Sequence, residues 1–450
     1  MKKTSVNVLD LDDPRCSGFY VSVFRLSPTW LRRGACPGCA GVASWLASRP
    51  FDNRQSELVP AAPGIDNSLT MLRPTIYLDN ASTSWPKPRR VIDEMVRFMD
   101  EDGGSPGRAG YRQSVTAERI VHDVRVKLAR LIKADDPNRI IHCLNGTDAL
   151  NIALKGSLRE GDHVVCTQLD HNSVSRPLEA LAARKIISLT RVPVAGDVCV
   201  DPDAIREAIT PATRLVTTVH ASNVTGIIQP VAEIGRIARE HDLLFLVDAA
   251  QTAGVVDIDV EAMHIDMLAF PCHKSLLGPS GTGALYVGKR ADVHPWREGG
   301  TGADSIYPTQ PEEFPTRLEA GTPNVVGLAG LNAALDGLTP NQTLEHERTL
   351  LERIIRGVEG CDKVRIIGDG PLSRRVGLLS LVIDGLAPVD TAAILDESFG
   401  IAVRAGLHCA PYAHRALETF PDGTIRVSPG WSTTEAEIDQ LIAALGEIAA

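Results

Sequence analysis

The pattern of apolar and polar positions along the chain changes near residue 75. In residues 1–70, proline, glycine, serine and arginine are mixed with isolated aromatic residues, and no helical or alternating period is sustained. We expect this segment to be a disordered N-terminal extension. Because Met71 lies just before the first convincing strand, either an upstream start site or an added interaction tail would account for it.

Between residues 139 and 288, short β-branched runs alternate with amphipathic helical segments. The apolar runs are IIHCL, HVVCT, RLVTTVH, LLFLVDA and MLAF. Such alternation predicts right-handed βαβ crossovers on a mainly parallel sheet. We therefore predict an α/β fold whose large domain spans residues 101–335.

The order of elements changes beyond residue 337. A long helical segment is followed by a strand, another helix and a final helix from Thr434. This order predicts a smaller C-terminal α+β domain at residues 336–450. The segment 71–100, with one brief apolar run and one amphipathic helix, is expected to pack with that smaller domain.

Composition narrows the classes of function. The chain has 450 residues, 44% hydrophobic and 23% charged, and none of its apolar runs approaches the length of a membrane helix. Its net charge of −10 gives no electrostatic reason to expect nucleic acid. We expect small molecules and proteins as partners, and neither a membrane nor nucleic acid.

The cysteines indicate a reducing compartment. There are nine, an odd number, scattered without the spacing of a disulfide framework, and the N-terminus lacks the apolar core of a signal peptide. We therefore expect a cytoplasmic protein. Cys36 and Cys39 resemble half of a zinc or redox site, but no second pair follows at a usable spacing, so no metal is predicted.

Polar side chains follow four of the predicted strands. His171, Asn223, Asp248 and Lys274 each come at the end of an apolar run or within a few residues of it. Because ligands of open α/β sheets bind beyond the carboxyl ends of the strands, these side chains are expected to meet at one edge. Each has an ordinary alternative, such as a solvated lysine, a capping aspartate or a hydrogen-bonded histidine.

Together these residues match the needs of pyridoxal phosphate. Lys274, at the mouth of a buried strand, is a candidate amine for attack on an aldehyde. Asp248 can keep a pyridine nitrogen protonated, so that the ring accepts electrons from a substrate carbanion. Thr147 opens a helix directly after IIHCL, where free N–H groups favour a phosphate, although a plain helix cap would look the same.

A set of longer motifs connects the chain to a known family. In chain order they are YLDNASTSWPKP, GGSPGR, DHNSVSRPLEAL, HASNVTG, VDAAQTAG, AFPCHKSLLGPSGTGALY, RLEAGTPN and RAGLHCAP. With them the chain from about Thr75 to its end resembles the class V aminotransferase superfamily, most closely its cysteine desulfurase branch, which includes selenocysteine lyase-like proteins. The resemblance implies the type I fold of pyridoxal-phosphate-dependent transferases.

The resemblance also implies a role for each matching residue. Lys274 corresponds to the Schiff-base lysine, Asp248 to the partner of the pyridine nitrogen, and His171 to the imidazole stacked on the ring. The other implied cofactor contacts are Gln251 to the phenolic oxygen, Asn223 beside the substrate carboxylate, and Thr147, His273 and Thr322 around the phosphate. Since Thr322 would reach in from a second subunit, a homodimer is implied.

The implied reaction depends on one cysteine. Cys409 corresponds to the nucleophile that takes sulfur from L-cysteine as a persulfide and leaves L-alanine, with a sulfur-acceptor protein as a further partner. Arg404 would supply positive charge beside the thiol and substrate, and Arg426 would pair with the substrate carboxylate. Most free cysteines, however, are small core residues.

Other functions remain open at this stage. The same cofactor residues would serve another class V reaction, namely transamination, selenocysteine lysis or β-elimination. A non-catalytic protein that retains the fold is the alternative from a different class, and the intact Lys274, Asp248 and His171 argue against it. Two departures from the family pattern, Pro271-Cys272 and Trp431-Ser432, bear on the phosphate contacts and the substrate pocket.

Overall fold

The computed structural model describes residues 75–107, 110–194, 198–302, 306, 308–368 and 370–450. Met71–Ala450 forms one compact unit. The expectations for residues 1–70, including Cys36 and Cys39, lie outside the described residues.

The strands and helices alternate over most of the chain. The strands are β1 (Ile76–Tyr77), β2 (Ile140–Cys143), β3 (His163–Thr167), β4 (Ser188–Val192), β5 (Thr213–Val219), β6 (Leu244–Asp248), β7 (Met267–Pro271), β8 (Gly283–Val287), β9 (Val364–Ile367), β10 (Leu379–Ile383), β11 (Ile401–Ala402), β12 (Arg404–Gly406) and β13 (Thr424–Val427). The α-helices are α1 (Arg89–Arg97), α2 (Arg112–Leu131), α3 (Gly146–Ser157), α4 (Asn172–Ala183), α5 (Pro202–Glu207), α6 (Val231–Glu240), α7 (Val325–Asp336), α8 (Pro340–Val358), α9 (Pro388–Phe399), α10 (Pro411–Ala416) and α11 (Glu435–Ala449). A π-helical turn, Phe98–Asp102, continues α1.

The central sheet has the strand order β2-β8-β7-β6-β5-β3-β4. Its strands from β7 to β4 are parallel, whereas β8 runs antiparallel to both of its neighbours. The predicted α/β fold with a mainly parallel sheet is therefore confirmed. Two strands were missing from the prediction: β4, whose side chains are mostly half-exposed, and β8, which lies within a glycine-rich motif.

The alternation of side chains along the strands explains why this sheet is buried on both faces. On β6, Phe245 and Val247 pack into one apolar core, while Leu244 and Leu246 pack into the core on the other face. Successive strand residues point to opposite faces, so a run that is apolar at every position needs a covering layer on each side. The helices of the crossovers supply these layers.

The C-terminal part forms an antiparallel sheet in the order β12-β13-β10-β9. Residues of α8 and α11 pack over it in a separate apolar core, which also includes Ile76 and Leu78. Accordingly β1 pairs in parallel with β11, whereas α1 packs against α7. The boundaries at residues 71–100, 101–335 and 336–450 stay predictions.

None of the helices in the described ranges is long and apolar enough to cross a membrane.

Candidate active site

The candidate site lies at the carboxyl edge of the central sheet. Asp248 ends β6, Lys274 follows β7, Asn223 follows β5, and His171 is the N-cap residue of α4 after β3. These four strands are neighbours and parallel, so their carboxyl ends open at the same edge. The topology therefore brings the four predicted side chains to one place.

Lys274 has an amine prepared for nucleophilic attack. Burial is the main cause that lowers the pKa of its ammonium to about 8, and the Arg426 guanidinium lowers it further, while Asp248 opposes this effect. An amine with such a pKa is partly neutral near pH 7.5, and only the neutral form has a lone pair to offer a carbonyl carbon.

Asp248 is a buried carboxyl with spare capacity to accept hydrogen bonds. It is 3% exposed, and its Oδ1 accepts a bond from the Ala250 N–H at 2.9 Å. Burial raises its pKa, and this effect is opposed by the Ala250 bond and by the Lys274 charge. A cationic ring nitrogen next to the carboxyl would oppose the effect of burial and favour the ionised form.

His171 is a neutral imidazole held in one orientation. Its Nδ1 lies 3.0 Å from the Ser173 N–H, which donates to it as part of the α4 cap. Burial and the nearby charges of Lys274 and Arg404 lower its pKa to about 4. A ring that accepts through Nδ1 carries its proton on Nε2, so a flat neutral face is available for stacking.

Ser173 connects His171 to Thr147. Its Oγ lies 2.9 Å from His171 Nδ1 and 2.8 Å from Thr147 Oγ1. Thr147 is in the first turn of α3, where Asn145 is the N-cap residue. Free N–H groups and the helix dipole at this end favour an anion. Sequence reasoning missed Ser173, although it lies inside the quoted motif DHNSV.

Cys409 lies on a loop tied to the same edge. Its carbonyl accepts a bond from the Asn172 N–H at 2.7 Å, and the preceding His408 carbonyl accepts one from Asn223 Nδ2 at 2.7 Å. The half-buried thiol has Arg404 NH2 at 3.5 Å from its Sγ. A guanidinium at this distance favours the thiolate electrostatically.

Arg426 is the largest fully buried polar side chain near the site. Its NH2 donates to Asp79 Oδ1 at 2.7 Å and to Ser82 Oγ at 2.8 Å, and its NH1 donates to the Asn223 carbonyl at 3.1 Å. Arg404 NH1 reaches the same Ser82 Oγ at 3.0 Å. Ser82 thus bridges the two arginines. Sequence analysis did not single out Asp79 or Ser82, although both belong to the motif YLDNASTS.

Several buried polar atoms at this edge lack a partner among the residues that the structure describes. They are Asn223 Oδ1, His273 Nδ1 and Arg426 Nε. Unpaired buried polar atoms are uncommon because each costs free energy, and they are explained where a ligand completes them. Together with Lys274 and Asp248, they fit a flat, anionic aldehyde such as pyridoxal phosphate.

Two further predicted cofactor contacts differ in location, because Gln251 lines the same small pocket as Lys274 and Thr322 does not. Gln251 is buried and donates through Nε2 to the Ala81 carbonyl at 3.1 Å. Thr322 is exposed and lines a cavity of about 790 Å³ beside Gly281 and Thr282, away from Lys274. Within one copy of the chain, Thr322 therefore does not line the pocket at Lys274.

The two departures from the family pattern have different surroundings. Cys272 is fully buried, and burial raises the pKa of its thiol, so neither it nor Pro271 offers a hydroxyl to a phosphate. Trp431 is partly exposed and donates through Nε1 to the Pro86 carbonyl at 3.1 Å. The indole therefore contacts the segment that precedes α1.

Comparison with known proteins shows the family. The family model described as aminotransferase class-V matches residues 76–441. A probable cysteine desulfurase of Methanothermobacter thermautotrophicus is 36% identical over 395 residues, which cover 86% of this chain and 97% of the relative. A probable cysteine desulfurase of Halalkalibacterium halodurans is 33% identical over 380 residues, which cover 82% of this chain and 91% of the relative.

Solved structures show the same fold. The apo cysteine desulfurase of Thermococcus onnurineus superposes with a TM-score of 0.78 at 30% identity, covering 83% of this chain and 94% of that one. The cysteine desulfurase CsdA of Escherichia coli, as its S-sulfonic acid, gives a TM-score of 0.74 at 28% identity with the same coverage. The predicted type I fold and the family resemblance are both confirmed. The chain belongs to the class-V aminotransferase family, whose members are pyridoxal-phosphate-dependent enzymes.

Proposed function

We propose that the protein is a pyridoxal-phosphate-dependent cysteine desulfurase, which converts L-cysteine to L-alanine and holds the sulfur on Cys409 as a persulfide. The observation that carries this proposal is Arg404 NH2 at 3.5 Å from Cys409 Sγ, on a loop tied to Asn172 and Asn223. Lys274 and Asp248 would serve many class V reactions, whereas sulfur transfer alone requires a thiolate at the substrate side chain.

The cofactor would be held by residues already at the sheet edge. Bound pyridoxal phosphate supplies an aldehyde for the amine and a ring that accepts electrons. Asp248 would keep the ring nitrogen protonated, and the neutral His171 would stack on the ring. The full set of proposed cofactor-binding residues is Lys274, Asp248, Gln251, His171, Asn223, Thr147, His273 and, from a second copy, Thr322.

Arg426 would hold the substrate carboxylate. Asp79 and Ser82 fix its guanidinium, and its Nε remains unpaired within the described part of the chain. Asn223 and Arg404 complete the proposed substrate contacts, and the free Asn223 Oδ1 can accept an N–H from a ligand. Fixed donors of this kind orient the substrate without reorganisation during the reaction.

Lys274 and Cys409 would divide the chemistry between them. Lys274 Nζ takes the proton from the substrate α-carbon. The Cys409 thiolate would then attack the substrate sulfur, so that an S–S bond forms while the C–S bond breaks. The β-carbon would take a proton, and Lys274 would return its proton to the α-carbon, which gives alanine. Cys409 would pass the sulfur atom to an acceptor protein.

The direct test is a product assay with each natural amino acid. We expect alanine and persulfide-derived sulfide from cysteine only. If cysteine yields pyruvate and ammonia, the enzyme is a β-eliminating lyase, and if a keto acid forms from any amino acid, it is an aminotransferase. Selenocysteine, tested in parallel, distinguishes a selenocysteine lyase.

Lys274→Ala tests the cofactor separately. The reconstituted wild-type protein should show an absorption band at the edge of the visible range from the imine of the cofactor, and borohydride should link the cofactor to Lys274. Lys274→Ala should lose both signals, and Lys289→Ala, at an exposed position, should keep both. A wild-type protein without the band or the adduct in excess cofactor would refute the assignment.

The proposed persulfide on Cys409 also indicates the kind of cellular compartment in which the protein works. An exchangeable persulfide needs thiols that stay reduced, so the proposed function agrees with a cytoplasmic protein. In the described ranges, the half-buried thiols of Cys361 and Cys409 form no disulfide.

A further inference from the structure

Lys87 is a half-buried lysine in the segment between β1 and α1. Its Nζ lies 2.8 Å from the His273 carbonyl oxygen and 2.7 Å from Ser84 Oγ. Burial lowers the pKa of its ammonium to about 8, and no carboxylate is among the causes that act on it. An ammonium withdrawn from water without an anionic partner is unfavourable, so the contact that it makes needs an explanation.

The His273 carbonyl oxygen accepts a hydrogen bond from Lys87 and is surrounded by further donors. Besides Lys87 Nζ, it faces the Ser84 N–H at 3.1 Å, Ser84 Oγ at 3.2 Å and Thr83 Oγ1 at 3.0 Å. A carbonyl oxygen has two lone pairs, so four surrounding donors exceed what an ordinary peptide group receives. This carbonyl belongs to the peptide bond whose nitrogen is that of Lys274.

Because a peptide bond is planar, holding its oxygen also orients the Cα atom that follows. The Lys274 side chain leaves from that Cα. Its amine interacts electrostatically with groups from five other segments: Asp248, Arg404, Arg426, Asp79 and His171. A rotation of the peptide would therefore displace the amine relative to these groups.

We propose that Lys87 is a positioning residue for Lys274, fixing through the His273 carbonyl the peptide from which the reactive amine projects, a role that rests on the function proposed above for Lys274. Thr83 and Ser84 share the task as neutral donors. The segment between β1 and α1 thereby contributes to the site through the backbone of Lys274.

The acylation of Lys274 in the cofactor-free protein tests this inference. Trace acetic anhydride, applied between pH 6 and 11 and read by mass spectrometry for each lysine, gives the pH midpoint at which Lys274 becomes reactive. Burial is the main cause of the low pKa of Lys274, so loosening its peptide should raise that midpoint. In Lys87→Met we expect a rise of about one pH unit.

Three further variants make the result specific. Lys87→Arg keeps a cationic donor and should restore most of the wild-type midpoint, whereas a purely structural role would change only the melting temperature. Thr83→Val removes one neutral donor at nearly constant volume, and we expect a smaller rise in the same direction. Lys289→Met, at an exposed lysine paired with Asp135, should leave the midpoint unchanged.

An unchanged Lys274 midpoint in both Lys87→Met and Thr83→Val overturns the inference, and Thr83→Val decides it alone if Lys87→Met does not fold. The readout uses neither cofactor nor substrate, so it is independent of the product assay. If the product assay fails but the Lys274 midpoint shifts as expected in the variants, only the proposed function is refuted. If cysteine is turned over but the midpoint does not shift, only the positioning role is refuted.

Discussion

At the residue scale, the backbone around Cys409 has an uncommon conformation. Cys409 has φ +58° and His408 has φ +47°, in the left-handed region that side chains other than glycine seldom occupy. The loop is held there by Asn172 and Asn223, and the buried His408 ring bonds Thr424 Oγ1 at 2.9 Å. Tethering on both sides of the thiol presents it in a defined position.

Cys409→Ser separates sulfur transfer from the chemistry of the cofactor. The variant should still bind the cofactor and cysteine, since Lys274, Asp248 and Arg426 are unchanged. Formation of sulfide and alanine should fall by at least ~100-fold, because a hydroxyl is a far weaker sulfur nucleophile than a partly ionised thiol. Cys361→Ser, at a cysteine remote in the C-terminal core, is the matched control. Wild-type turnover in Cys409→Ser would exclude the thiol mechanism.

At the scale of single elements, α8 carries an acidic residue into the interior. Glu347 is 7% exposed, and its carboxyl packs against the Cα of Gly377, where a Cβ would overlap it. Burial raises the pKa of Glu347 from 4.5 to about 8, opposed by the Gly377 N–H. The folded protein therefore holds a proton on Glu347 at neutral pH.

The proton on Glu347 predicts a pH-dependent stability. Because the folded pKa is raised, this stabilisation is complete below pH 4.5 and is lost as the pH rises through about 8. Glu347→Gln replaces the protonated acid by a neutral group of the same shape. Between pH 6 and pH 9, its free energy of unfolding should therefore gain about 2 kcal/mol relative to wild type.

Urea unfolding at the two pH values measures this difference. Glu345→Gln, at an exposed position of the same helix, is the control and should follow the wild-type trend. If Glu347→Gln also follows the wild-type trend, the carboxyl is not protonated in the folded protein.

At the scale of the whole molecule, one apolar stripe is left uncovered by the residues that the structure describes. Ile92, Val96 and Met99 lie one helical turn apart along α1 and its π-helical continuation, and they are 42%, 47% and 55% exposed. Val91 and Phe98, on the other side, are buried. An exposed stripe of this kind is typical of an interface, and a homodimer would also bring Thr322 to a second site.

Val96→Glu tests the dimer. A charge at the centre of the stripe should shift the protein from dimer to monomer in light scattering, and the affinity for pyridoxal phosphate should fall with the loss of Thr322 from the second copy. Arg89→Gln, an exposed polar change on the same helix, should leave the mass unchanged. A monomeric wild-type protein with full cofactor affinity would contradict the proposal.

Deletion of residues 1–70 tests the expectation that this segment adds nothing to the core. Since a segment without periodic apolar positions buries little area, the melting temperature should change by no more than about 2 °C, and cofactor affinity should stay the same. Thermal unfolding and cofactor titration of the shortened chain measure both. A drop of many degrees would reveal a structural element in the segment.

The sequence by itself determined the crossover region and the positions at its strand ends. The runs before Asp248 and Lys274 are apolar at nearly every position and short, as expected of strands covered on both faces. Residues that follow such strands lie at the ligand-binding edge. The motifs around Lys274 and Cys409 indicated the class V aminotransferase family, which the comparisons confirmed.

The tertiary structure alone decided the remaining contacts. The residues of strand β4 are mostly half-exposed and mix polar with apolar side chains, a pattern that resembles a loop. Backbone pairing with the neighbouring strand β3 makes this segment a strand. Ser82 between Arg404 and Arg426, and Lys87 on the His273 carbonyl, join segments far apart in the chain. Local periodicity reports which face of an element is buried, but a hydrogen bond between distant segments depends on how the chain folds back, and no local pattern records it.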